Sequence, residues 1–341
     1  FIWTLPVEIL IVIVTLLGTQ DLRSVTQVCS LLREIAGPLF FVNRNFPTSP
    51  QDLFHIRVDS PNFDVLTTWR RMDTFRPPRM MLCWLNSDLQ PPQLSAFSYF
   101  LQSVPSKSIR YLTLFWNFDI LNSPVLPQIV AFLENIRASG CEELTCVGLG
   151  DRAGPSSVTG LARIQGRVGA NHLKAFEASS QVLFSPRLLP FTIQTIRFSC
   201  LERLRMSSTK LNSTQWDKLL RSLAIPTLVE LRVDADCAPS TLIRFLCRHP
   251  AVSNLSIMPR PGCPSRTNRV TPRLTISMSV LDGPLSHVLP ILRSHHQKPT
   301  LTCLGISLQA HDASPDYITA ISQCISYCDK IGYLLLSLPP Q

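Results

Sequence analysis

A short apolar pattern recurs along most of this chain and restricts its fold more than any other feature. It reads apolar, two residues of any kind, apolar, one of any kind, apolar, and its alternation predicts a short half-buried strand at each copy. The clear copies are "IRYLTL" at 109, "CEELTC" at 141, "ANHLKA" at 170, "LERLRM" at 201, "LVELRV" at 228, "VSNLSI" at 252, "LTCLGI" at 301 and "IGYLLL" at 331, with weaker ones, "RMMLCW" at 79 and "TPRLTI" at 271.

Helical periodicity separates most neighbouring copies, which begin 19 to 32 residues apart. The spacing resembles that of leucine-rich repeats, in which one strand and one helix form each unit. We therefore expect an irregular leucine-rich-repeat-like α/β solenoid, least regular between 252 and 285. An ordinary α/β domain with a parallel sheet is the alternative. The predicted helices cover 94–104, 126–138, 214–223, 240–248, 285–295 and 315–328.

The residues between the repeat leucines define a candidate binding face. If the leucines point into the core, the interleaved side chains point to solvent, because successive side chains of a strand alternate in direction. These side chains mix arginines, aromatic rings and carboxylates, which favours a protein substrate over a phosphate backbone. They are Tyr111, Thr113, Phe115, Glu143, Thr145, His172, Lys174, Phe176, Arg203, Arg205, Glu230, Arg232 and Asp234.

The N-terminus predicts three short helices. Residues 9–17 are apolar except for Thr15, too short a run for a membrane span and without the basic flank of a secretion signal. Pro6 suits the first helical position and Gly18 ends the run, although the β-branched residues 11–14 leave a buried strand as the alternative. Asp21 is expected to cap the second helix and Ser30 the third, which would end at Gly37-Pro38.

The first predicted helix carries apolar side chains on nearly every side. Ile9, Leu10, Ile13, Val14 and Leu16 go round the helical wheel, and two short partner helices can cover only part of that surface. Another protein, or the rest of the chain, must cover the remainder.

These N-terminal residues resemble the F-box. The motif reads Leu5-Pro6-x-Glu8-Ile9-Leu10-x-x-Ile13, then Leu17, Asp21-Leu22, Val28-Cys29 and Leu32-Arg33, with Leu32 where many F-boxes carry tryptophan. The resemblance implies docking on a Skp-type adaptor of a cullin ubiquitin ligase. The adaptor contacts that it implies are Leu5, Pro6, Ile9, Leu10, Ile13, Leu17, Leu22, Val25, Val28, Cys29 and Leu32.

The expected organisation is therefore an α/β chain in three segments. They are an F-box-like helical module over 1–41, a linker or transition segment over 42–78, and the leucine-rich-repeat-like solenoid over 79–341. The expected function is that of a substrate receptor: the F-box docks on the adaptor and the repeats hold an unknown protein substrate. The alternative is a non-catalytic scaffold whose N-terminal helices only cap the solenoid.

Composition limits the other functions of the 341-residue chain. The net charge is +9, but the densest basic stretch, 260–273, lacks any aromatic residue on which a base could stack, so we expect no specific nucleic-acid binding. The eleven cysteines form no CxxC pair, which favours reduced thiols in the cytoplasm or nucleus. No catalytic or metal-binding motif is assembled, so we expect no enzyme activity, metal, cofactor or membrane partner.

Overall fold

The computed structural model describes residues 5–46, 53–57, 64–69, 77–149, 172–259, 272–308 and 317–338. Three N-terminal helices are followed by parallel strands that alternate with helices, so the chain is mixed α/β. It forms two compact units, Phe1–Leu144 and Thr145–Gln341. The division of the sequence at 41 and 78 stays a prediction, and the basic stretch lies outside the described residues at 260–271.

The first two helices each begin directly after a proline or a glycine. Helix α1 covers Val7–Thr15, with Pro6 at its N-cap position, and α2 covers Thr19–Val25, with Gly18 as its N-cap. Asp21 therefore lies within the first turn of α2 and does not cap it, contrary to the prediction. Its carboxylate still lies where the helix dipole favours negative charge.

The third helix is longer than the sequence predicts. Helix α3 covers Ser30–Asn43, and the Sγ of Cys29 accepts a hydrogen bond from the Leu32 amide at 3.5 Å, so Cys29 is the cap instead of Ser30. The predicted end at Gly37-Pro38 is wrong. Beyond the proline, Phe40 and Phe41 are fully buried, and their packing offsets the backbone hydrogen bond that proline cannot make.

The remainder of the first unit alternates strands and helices. Its strands are parallel from β1 to β3 and lie in chain order, with Phe54, Met81 and Leu112 as buried register partners. The segment expected to be a linker contains β1 and α4. The elements are β1 (Leu53–Arg57), α4 (Asp64–Trp69), β2 (Met80–Leu85), α5 (Pro91–Ser103), β3 (Tyr111–Trp116), α6 (Leu126–Ala138) and β4 (Glu143–Gly148), which continues into the second unit.

A run of aromatic rings joins the N-terminal helices to the first strand. The ring centroids of Phe41 and Phe46 lie 5.0 Å apart, and those of Phe46 and Phe54 lie 4.8 Å apart. All three side chains are buried. The end of α3 is therefore packed against β1 by tilted and edge-on ring contacts.

The second unit repeats the same alternation. Strands β5 to β11 lie in chain order, and each is parallel to the next. Its elements are β5 (Ala175–Ser179), α7 (Leu189–Arg197), β6 (Arg203–Met206), α8 (Ser213–Ser222), β7 (Glu230–Asp234), α9 (Pro239–Arg248), β8 (Asn254–Met258), β9 (Val280–Pro284), α10 (Leu285–Ser294), β10 (Thr300–Ser307), α11 (Tyr317–Ser326) and β11 (Lys330–Ser337).

Repeat leucines form the core of this unit. Leu204, Leu231 and Leu255 are register partners on three neighbouring strands, and all three are fully buried. A capping box begins helix α8: the Asn212 side chain accepts a hydrogen bond from the Gln215 amide at 2.9 Å, and the Gln215 side-chain oxygen accepts one from the Asn212 amide at 2.9 Å. Each strand thus buries alternate residues while the helices cover that side.

Two of the predicted repeat copies are out of register. In the copy at 79 the buried residues are Met81 and Cys83, one position earlier in the chain than the pattern predicts. Trp84 therefore points outward. In the copy at 170 the strand starts only at Ala175. Leu173 and Phe176 are buried, whereas the pattern predicts that Phe176 points outward. A shift by an odd number of residues exchanges the two faces of a strand, which is why short apolar runs mislead.

The weak copy at 271 is also misplaced. Leu274 makes only an isolated bridge with His295, whereas the strand is β9, in which Leu281 is buried. Helix α7 was not predicted from the sequence. The strands and helices observed fit a repeating α/β chain, and its leucine-rich-repeat character stays a prediction.

The ten cysteines in the described ranges are all free thiols, and six of them are buried. Burial raises the pKa of Cys141 and of Cys324 to about 12, so both thiols stay protonated at neutral pH.

Among the described helices, none is long and apolar enough to cross a bilayer.

A buried histidine joins two neighbouring repeats. The Nε2 of His249 accepts a hydrogen bond from the Ile225 amide at 3.0 Å, so the proton is on Nδ1, which donates to the Phe245 carbonyl at 2.8 Å. The hydrogen bond from Ile225 requires the neutral imidazole, because a protonated Nε2 cannot accept. Burial is the largest cause that lowers the pKa of His249, and the neighbouring Arg248 lowers this pKa further.

This arrangement predicts a loss of stability in mild acid. The folded state resists protonation of His249, so its contribution is complete above the ordinary histidine pKa of about 6.5 and falls as the pH drops below that value. We expect His249→Gln to show a smaller decrease in urea midpoint between about pH 7.5 and pH 5.5 than the unmodified chain. The exposed His296→Gln serves as control, and equal decreases for all three proteins would contradict the role given to His249.

Candidate protein-docking surface on the N-terminal helices

Helix α1 uses only one narrow stripe of its surface for packing. Leu10 and Val14, one turn apart, are 4% and 2% exposed, and α1 packs on α3. The other apolar side chains lie in water, among them Ile9 at 46%, Ile13 at 44% and Leu16 at 81%. We call the exposed apolar set of α1 and its flanks the docking surface: Leu5, Val7, Ile9, Ile11, Val12, Ile13 and Leu16.

The chemistry of this surface is almost purely apolar. Glu8 is the one charged residue between positions 5 and 18, and it lies in the first turn, where the helix dipole favours it. Fully burying one such isoleucine or leucine stabilises an association by about 1.5–3 kcal/mol. Exposed contiguous apolar surface of this kind is typical of protein contacts.

The structure divides the eleven predicted adaptor contacts into three groups. Leu5, Pro6, Ile9, Ile13 and Val28 are exposed, and Leu17, Val25 and Cys29 are half-buried.

The third group, Leu10, Leu22 and Leu32, is buried, so the structure corrects its assignment: these leucines hold the helices together and are not open to a partner. The predicted adaptor contacts omit the exposed Val7, Ile11, Val12 and Leu16. The apolar residues on all sides of α1 were the sequence signal that could have added them.

The outward strand face of the first unit is aromatic. The rings of Trp84 and Phe115 stack at 4.3 Å with an interplanar angle of 15°, on neighbouring strands β2 and β3. Tyr111 is exposed and Thr113 half-buried on the same face of β3. Trp84 was missed because the copy at 79 was placed one residue out of register.

The outward strand face of the second unit is charged. The Arg205 guanidinium lies 2.8 Å from the Glu230 carboxylate on β7 and 3.8 Å from that of Glu177 on β5. Arg203 on β6 and Arg232 on β7 are half-buried, and Arg232 contacts the sulfur of Met258 at 2.6 Å. The structure therefore brings the predicted Arg203, Arg205, Glu230 and Arg232 together.

The other four predicted substrate contacts on these strands differ in exposure. His172 is half-buried and Lys174 exposed, both just before β5, whereas Phe176 is buried in the core because its repeat is out of register. Asp234, the last residue of β7, is also buried, contrary to the prediction.

Asp234 acts as a structural acceptor. Its carboxylate accepts hydrogen bonds from the Ser208 amide at 3.0 Å, the Thr209 amide at 2.9 Å and the Thr209 hydroxyl at 2.8 Å. Burial raises the pKa of Asp234, while these three hydrogen bonds oppose the shift. The residue fixes the loop after β6 to the end of the neighbouring strand.

We expect Asp234→Ala to destabilise the second unit. The substitution leaves buried donors without a partner, at a cost of about 1–3 kcal/mol in the free energy of unfolding. Glu177→Ala, which removes a partly exposed ion pair from the same sheet, should cost less than about 1 kcal/mol. Denaturant unfolding of both variants measures the difference, and equal small losses would contradict the stabilising role given to Asp234.

An F-box-like family model matches residues 2–44, which include all of α1, α2 and α3. No curated protein matches the chain. The match supports an F-box protein and indicates a role in protein–protein interaction, and F-box-like domains typically bind Skp-type adaptors. The part of the chain that carries the exposed docking surface is therefore the part that is similar to a known adaptor-binding domain.

Proposed function

We propose that this chain is a substrate-receptor subunit of a Skp–cullin–F-box ubiquitin ligase. The observation that carries the proposal is the docking surface: α1 lies within the F-box-like match and leaves its isoleucines exposed. A Skp-type adaptor that covers this surface would remove it from water. The adaptor would in turn connect the chain to the cullin.

The receptor itself is proposed to be non-catalytic. Its contribution is proximity: holding a substrate lysine near activated ubiquitin raises the effective concentration of the two reactants, and other subunits perform the transfer. The receptor then needs one surface for the adaptor and another for the substrate. No cofactor or metal is required for either.

The substrate surface is proposed on the outward strand faces. In the first unit it would use Trp84, Tyr111 and Phe115, and in the second unit Arg203, Arg205, Glu230 and Arg232. Aromatic rings and arginines are the side chains that dominate the energetics of protein interfaces. A protein substrate fits this chemistry better than a nucleic acid, because carboxylates are interleaved with the arginines.

The alternative function is a scaffold in which the helices only cap the repeats. The ring contacts from Phe41 through Phe46 to Phe54 favour it in part, since they place α3 against the first strand. Capping requires the contacts of α3, however, and does not use the exposed Ile9 and Ile13 of α1. The two functions therefore make different demands on α1.

Substitution of α1 residues separates the two functions. We expect Ile9→Asp with Ile13→Asp to abolish binding to a recombinant Skp-type adaptor, because burying unpaired carboxylates costs several kcal/mol, equivalent to at least about a 100-fold loss of affinity. The melting temperature of the full chain should stay unchanged, since both side chains are already exposed. Titration calorimetry and thermal unfolding provide the two measurements.

A matched control lies on the same helical module. Val42 is exposed on α3 outside the docking surface, so Val42→Asp should retain adaptor binding while Ile13→Asp loses it. Leu10 is unsuitable for this test because it is buried, and its substitution would unfold the module. Unchanged adaptor affinity in the Ile9→Asp, Ile13→Asp variant would exclude the F-box function.

A further inference from the structure

The outward strand face of the second unit carries one row of side chains that runs across the strands from β5 to β10. Its members are register partners, each one on the strand next to the last. The charged members are all half-buried. We call this set the charged row: Glu177, Arg205, Arg232, Ser256, Asp282 and Gly305.

The two arginines of the charged row have different surroundings. The Arg205 guanidinium lies 2.8 Å from the Glu230 carboxylate and 3.8 Å from that of Glu177, so its charge is compensated. Within the described residues, Arg232 forms no ion pair. Its Nη2 faces the Met258 sulfur, a weak acceptor, and its Nε is buried without an acceptor in that part of the chain. Arg232 is therefore a half-buried cation with most of its hydrogen-bonding capacity unused.

Asp282 is the matching anion of the charged row. Its Oδ2 accepts a hydrogen bond from the Ser256 hydroxyl at 3.2 Å, and it too forms no ion pair with a described residue. A Cβ at Gly305 would overlap the Asp282 Oδ1, so glycine leaves the space that the carboxylate occupies. The carboxylate is thus held in place without a cation beside it.

Arg232 and Asp282 lie two strands apart. At about 4.8 Å per strand their Cα atoms are about 9.6 Å from each other, with only the small Ser256 between them. A bound chain that crosses the strands can therefore place one acidic side chain on Arg232 and one basic side chain on Asp282. A polyanion does not fit, because Asp282 and the carboxylates around Arg205 would repel it.

The spacing of the two charges indicates the conformation of such a chain. In polyproline II every third side chain points the same way, and three residues span about 9.3 Å. In a β-strand, side chains on one face lie about 6.8 or 13.6 Å apart, which does not match. A polyproline II backbone has no internal hydrogen bonds, and the half-buried Asn254 and Ser256 supply polar side chains beside it.

We infer that the charged row binds an extended substrate segment in polyproline II conformation with one acidic and one basic residue three positions apart. The acid bonds to Arg232, whose planar guanidinium suits a carboxylate, and the base bonds to Asp282. The direction of the bound chain sets which of the two comes first. The inference rests on the proposed function in taking this face as the substrate surface.

Selection from a phage-displayed library of random ten-residue peptides, with the full chain as bait, tests the inference. We expect the bound peptides to be enriched in pairs of one acidic and one basic residue at a spacing of three. Arg232→Gln should remove the preference for the acid alone, and Asp282→Asn the preference for the base alone. An enriched peptide should bind Arg232→Gln at least about 10-fold more weakly in fluorescence anisotropy.

Reversal of both charges gives a gain of function that a misfolded variant cannot mimic. Arg232→Glu with Asp282→Lys should select peptides in which the acid and the base have changed places. Lys218→Glu is the control for net charge, since Lys218 is exposed on α8 and Arg232→Glu changes the charge by the same amount. This control should select the same peptides as the unmodified chain.

Three results would overturn the inference: no charge preference, a preferred spacing of seven residues, which a helix would give, or a preference that survives both substitutions. Titration of the same preparations with a Skp-type adaptor separates this inference from the proposed function. Adaptor binding without any charge preference removes the inference alone. A charge preference without adaptor binding supports the peptide site and removes the ligase function alone.

Discussion

The packing of helices onto one face of parallel strands is the constraint on which the rest of this structure depends. Each strand must bury alternate residues, so Leu204, Leu231 and Leu255 stack in register as a continuous core. The same alternation sends the intervening side chains to the opposite face, where they are available for contacts. Core and candidate binding face are thus two consequences of one backbone geometry.

Apolar surface remains exposed wherever this packing lacks a neighbour. Helix α1 packs on α3 and buries a single stripe, and among the described strands β11 pairs with β10 alone. On the outward face of the first unit, Trp84 and Phe115 cover each other by stacking. Two of these surfaces, a helix and a sheet face, differ in geometry, and each suits a different mode of protein contact.

Buried polar groups fix the connections between repeats. The Asp234 carboxylate accepts hydrogen bonds from backbone amides of the loop after β6. His249 accepts a hydrogen bond from the Ile225 amide and donates one to the Phe245 carbonyl, one turn earlier in the chain. Both side chains hold backbone groups that regular secondary structure leaves without partners. Burial raises the pKa of Asp234 and lowers that of His249, so both groups link stability to pH.

The sequence by itself determined the alternation of strands and helices and the three N-terminal helices, because apolar periodicity and breaks such as Gly18 are local signals. It also determined most strand registers, as at Leu112 and Leu231, where apolar residues recur without ambiguity. Only the tertiary structure decided the register at Met81 and Phe176, the continuation of α3 through Pro38, and which of Ile9 and Leu10 faces water. Each of these depends on what lies opposite a side chain in space, and a local pattern does not contain that information.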